Sequence, residues 1–73
     1  MGKNKVRLTI GGLDYYITTD EEIAYMKNLG EDLDDEITGL IHDHPRLSQV
    51  QAAVLSALDY ADRLKQAEKS NEF

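Results

Sequence analysis

The chain has 73 residues, a formal net charge of −6 and no cysteine, so its one small core is marginally stable alone and no disulfide or thiolate zinc site can reinforce it. A partner chain is the remaining support, and self-association is its simplest form. The acidic balance, with an isoelectric point of about 4.6, argues against a surface built for nucleic-acid phosphates or anionic lipid.

The first predicted element is a strand. From Lys5 to Ile10, Val6, Leu8 and Ile10 alternate with Arg7 and Thr9, the period of a half-buried strand. Gly11 and Gly12 supply positive φ without steric cost and predict a tight turn. Leu13, Tyr15 and Ile17 then alternate with Asp14, Tyr16 and Thr18. The expectation is a β-hairpin over residues 5–18 with one apolar face, on which Tyr15 is a core residue. A lone hairpin is barely stable in water, so helices should cover that face.

Thr19 and Glu22 have the spacing of a capping box, and Asp20, Glu21 and Glu22 suit the positive end of a helix dipole. A helix is therefore expected from about residue 20. Its apolar positions run Ile23, Met26, Leu29 or Gly30, Leu33, Ile37, Leu40 and Ile41, while Glu31, Asp32, Asp34, Asp35 and Glu36 form an acidic outer face. Glycine in a helix interior costs about 1 kcal/mol against alanine, which points to a close packing contact at Gly30. Pro45 disfavours helical geometry in the residue before it, so the helix should end near 43.

Ser48 and Gln51 form a second capping box, opening a helix over about 49–70. Val50, Ala53, Val54, Ala57, Leu58, Ala61 and Leu64 recur at three- and four-residue steps and fall on one stripe. Much of that stripe is alanine, so another backbone can come close. The seam, with Tyr60 at its border, predicts a homodimer interface, to which the hairpin can add. Tyr16 lies on the strand face opposite Tyr15, and Tyr25 lies off the first helix's stripe. The whole reads as one α+β domain over 1–73: a hairpin followed by two amphipathic helices, dimeric.

Other chemistry is weakly signalled. His42 and His44 form an isolated HxH pair without further ligands, and histidines at a helix end also interact with its last carbonyls. The carboxylates come with no nucleophile, no phosphate-cradling loop and too small a fold to wall off a pocket. No catalytic residue, metal or cofactor is assigned. No apolar run approaches the roughly 18 residues of a membrane span, and MGKNKVRL lacks the apolar stretch of a secretory signal.

The ordered set of motifs resembles the ZapA family, bacterial cell-division proteins associated with the tubulin-like polymer FtsZ. The matching positions are Val6, Leu8, Ile10, Gly12, Tyr15 and Ile17, then Gly30 to Asp34 (GEDLD), then Leu47, Ser48, Leu55, Ala57, Leu58, Ala61 and Asp62 of the second helix. The resemblance covers nearly the whole chain. It implies a cytoplasmic protein of the division septum, whose head dimerises, binds FtsZ polymers and promotes their association. Family members carry a coiled-coil tail that joins dimers into tetramers. Here the residues after Leu64 lack a sustained heptad, so a dimeric head with little or no tail is expected.

For contact with FtsZ the candidates are the basic Lys5, Arg7 and Arg46, local cations on an acidic background. Each also fits a plain solvated role, on a wet strand face or pinning a loop. The alternative from another class is a dimeric ribbon-helix-helix DNA-binding regulator, in which Lys5, Arg7 and Thr9 would read the major groove. Against it stand the acidity and the second strand.

Overall fold

The computed structural model describes residues 3–70. Strand β1 (Asn4–Ile10) pairs antiparallel with β2 (Leu13–Thr19), and helices α1 (Ile23–Asp43) and α2 (Gln49–Ser70) follow. The fold is α+β, a hairpin and two helices, as the periodicities predict. Gly11 and Gly12 hold φ of 61° and 84°, the left-handed values that a two-residue hairpin turn requires. The register sets Val6 against Ile17, Leu8 against Tyr15 and Ile10 against Leu13, so all six share one face of the ribbon.

α1 packs across β1 of that face, and the contact is closest at Gly30. A Cβ built there would lie 3.0 Å from Leu8 Cδ2, so the missing side chain is what lets the helix settle onto the strand. The carboxylate of Asp34, one turn further on, accepts the backbone N–H of Gly11 at 2.7 Å, and Gln49 Nε2 donates to the Gly11 carbonyl at 3.0 Å. The turn is thereby tied to both helices. Val6, Leu8, Ile37 and Ala52 make up the buried apolar core.

Three expectations need correction. Thr19 does not cap α1. It is the last residue of β2, in register with Asn4, and its hydroxyl accepts the Glu21 N–H at 3.1 Å. The helix opens at Ile23 behind Glu22, which makes no side-chain cap bond. Tyr15 is on the apolar face but remains 45% exposed, with Leu13 at 56%, because neither helix packs against β2. The acidic side of α1 is not uniformly solvated, since Asp34 and Glu36 are half-buried.

α1 ends at Asp43, with His44 outside helical space at φ −133°, ψ 78°, as the clash with Pro45 requires. The Ser48–Gln51 box closes on both sides: Ser48 Oγ accepts the Gln51 N–H at 3.1 Å and Gln51 Oε1 accepts the Ser48 N–H at 3.0 Å.

The molecule is a thin, open shape of 42 × 41 × 15 Å, with a radius of gyration of 14.4 Å where a compact chain of this length has about 11 Å. Its accessible surface is 6012 Å² for 8.2 kDa, against about 4,500 Å² for a compact monomer of that mass. The excess is of the size a protein–protein interface removes.

Candidate interaction surfaces

α2 has two unlike faces. Ala52 and Ser56 are completely buried, with Asp59 and Tyr60 half-buried beside them. These small residues form the side that meets α1. At about 100° per residue, Ala61, nine positions after Ala52, lies on the opposite side of the helix. That side carries the predicted seam, and the chain leaves it uncovered. Val50 is 73% exposed, Val54 61%, Leu58 66% and Leu64 60%, and Ala53, Ala57 and Ala61 between them are exposed too. Tyr60 faces away from the middle of this stripe. Its ring stacks under the Arg63 guanidinium, 5.1 Å from centroid to Cζ, beside Asp32, Asp35 and Glu36.

The packed side of α2 is held by charge as well as by small residues. Arg63 lies 2.7 Å from Asp59 and 3.1 Å from Glu36 of α1. Burial pushes the Glu36 carboxyl above its usual value, with the neighbouring Asp59 carboxylate adding to the rise and the Arg63 guanidinium opposing it. Burial also raises the Tyr60 phenol, helped by the nearby negative charge of Glu36. Glu36 Oε2 and Ser56 Oγ are buried and make no hydrogen bond among the described residues, although the Ser56 hydroxyl is near enough to oppose the rise at Glu36. Sequence reasoning missed this cluster. Its signal was the Ala52–Ser56 pair of small residues one turn apart, followed at three- and four-residue steps by Asp59 and Arg63.

The basic candidates fall in two places. Lys5 and Arg7 project from the outward face of the hairpin, where Arg7 is in register with Tyr16, itself 78% exposed. Arg46 sits in the link between the helices, lining a cleft of about 430 Å³ with His44, Leu47, Gln51 and Leu55. That cleft includes neither hairpin cation. None of the three is in an ion pair among the described residues. As for the DNA-binding alternative, its ribbon has two strands, one from each copy, whereas here β1 already forms a two-stranded hairpin with β2 of its own chain from end to end.

The fold and both surfaces can be set against known proteins. The family described as cell division protein ZapA matches residues 6–73, which takes in the hairpin from Val6 onward, both helices and every candidate residue except Lys5. The chain belongs to the ZapA family. It is therefore a cell-division protein, and the ordered motifs that suggested the ZapA resemblance lie within the matched span. No curated protein and no solved structure matches it. No helix among the described residues is long and apolar enough to cross a membrane.

Proposed function

We propose that this ZapA-family chain is a non-enzymatic homodimer that binds FtsZ polymers and promotes their association at the division ring, in the cytoplasm at the septum. The observation that carries the dimer is the uncovered stripe of α2. Four large apolar side chains, Val50, Val54, Leu58 and Leu64, stand in water on each copy, and burying such a side chain is worth about 1.5–3 kcal/mol. Two copies bring eight of them together, a gross gain of about 12–24 kcal/mol at full burial, set against about 4–15 kcal/mol lost in association. The alanines between them let the two helices approach closely. Tyr60 lies at the margin of the proposed seam.

Family membership supports the FtsZ partner. The mechanism is passive: two joined heads present the same site twice, and a repeating polymer converts that into avidity when the spacing fits. No cofactor or turnover is involved. Lys5, Arg7 and Arg46 are the proposed contacts, cations outside any ion pair among the described residues of an acidic chain.

Sedimentation equilibrium together with pelleting on polymerised FtsZ tests the reading. A dimer that pellets only with polymer is expected. A persistent monomer removes the first half of the proposal, and failure to pellet removes the second.

A further inference from the structure

Among the described residues the sheet has two strands, so each strand keeps one open edge. A two-residue turn closes on a hydrogen-bonded pair, here Ile10 with Leu13, and such pairs alternate along an antiparallel ladder. Leu8–Tyr15, Val6–Ile17 and Asn4–Thr19 are therefore the bonded pairs. The main-chain N–H and C=O groups of Lys5, Arg7 and Thr9 point the other way, outward along β1. Among the described residues none of them enters another backbone hydrogen bond. Beside this edge lies a groove of about 210 Å³, lined by Arg7, Leu8, Thr9, Lys27, Gly30 and Glu31. No residue of β2 lines it, which places it on the open side of β1, between the strand and α1.

The charge of this edge is unlike the rest of the chain. Lys5 and Arg7 stand two residues apart, about 7 Å along a strand, and Lys27 faces the groove from α1. Glu31 is the one acidic side chain lining it. All three cations are exposed and free of ion pairs among the described residues, in a molecule whose net charge is −6. Two β1 edges brought together from separate copies would set cation against cation, which is unfavourable. An incoming strand with acids at alternate positions has the same repeat as Lys5 and Arg7 and the opposite sign.

We propose that the open edge of β1 is a docking site for an extended, acid-rich segment of a partner protein, added as a third strand beside Lys5, Arg7 and Thr9. Main-chain bonds hold the segment, and Lys5, Arg7 and Lys27 select its charge. The inference deepens the partner-binding part of the function proposed above and rests on that reading.

The test uses the full chain and a fluorescein-labelled peptide of five Glu-Thr repeats, with five Gln-Thr repeats as control. Fluorescence anisotropy at low salt should show binding of the acidic peptide alone, weakened by added NaCl. Exchange of the Lys5, Arg7 and Thr9 amides should slow when the peptide is bound. The double variant Lys5→Glu, Arg7→Glu should lose about tenfold or more in affinity, the scale of close charge pairs at interfaces. Thr9→Pro deletes one outward N–H at a position where an edge strand tolerates proline. It should weaken binding where Thr9→Ala does not, both variants lacking the Thr9–Asp14 side-chain bond.

Absence of binding overturns the site. So does binding that ignores charge reversal, slowed exchange confined to other segments, or equal behaviour of Thr9→Pro and Thr9→Ala. So does a change in oligomeric mass for the double variant, which would assign the edge to self-association. Failure of the wild-type chain to pellet with FtsZ would remove the filament reading, while the peptide and exchange results still judge the edge.

Discussion

Ala57→Glu separates the two roles of α2. In the single subunit Ala57 is exposed, on the side of the helix away from Ala52 and Ser56. Glutamate is a good helix former, so the cost to an isolated subunit stays within about 0.5 kcal/mol. Across a symmetric seam the same substitution buries a carboxylate without a partner, once from each copy. Removing the compensation of a buried charge costs about 3–5 kcal/mol. Even the lower figure, counted once, weakens a dimer by more than a hundredfold. Circular dichroism should show an unchanged helix content at concentrations where both forms are folded. Sedimentation equilibrium should show the wild type at twice the monomer mass and Ala57→Glu at the monomer mass. If the variant keeps the wild-type dissociation constant, the stripe is not the interface and the reasoning fails.

Gly30→Ala gains about 1 kcal/mol of helix propensity but sets a methyl 3.0 Å from the buried Leu8 Cδ2, and overpacking of this kind costs about 1–3 kcal/mol. A net loss of up to about 2 kcal/mol in urea unfolding is expected, and a rise in stability would show that Leu8 moves aside freely. Ser48→Ala removes the hydroxyl that accepts the Gln51 N–H and should cost about 1 kcal/mol in the same assay. The raised carboxyl of Glu36 means that the native state binds that proton more tightly than the unfolded chain. Its contribution is fully present below the unfolded value near 4.5 and is lost as pH rises through the higher native one. Glu36→Gln should therefore compare best with the wild type at neutral pH and lose ground as the pH falls toward 5. A difference in melting temperature that is flat across this window contradicts the assignment. Glu36→Gln should also lower the Tyr60 phenol pKa, read by ultraviolet titration, because the negative charge of Glu36 helps to raise it.

Where local chemistry decides, the sequence is a reliable guide. Two glycines in succession dictate the turn between β1 and β2, and Ser48 with Gln51 dictates where α2 begins, because the bonds involved span at most three residues. Pro45 ends α1 for the same kind of reason. Gly30 is legible at one remove: a costly residue in a helix signals close packing, although nothing in the sequence names Leu8 as its neighbour. Thr19 shows the limit. Its spacing to Glu22 fits a cap, but pairing with Asn4 places it in the ladder, and the same hydroxyl serves a turn at Glu21 instead.

The apolar periodicity of α2 fixes which residues share a stripe and says nothing about what covers it. Only tertiary packing decided that Ala52 and Ser56 turn inward while Val50, Val54 and Leu58 remain in water. It likewise decided that α1 shields β1 and leaves Tyr15 of β2 open, and that Glu36 and Arg63, 27 residues apart, meet between the helices. Periodicity records the direction of a side chain about its own axis. The choice of neighbour depends on how whole elements fit together, and small residues win the close crossing because they let two backbones approach.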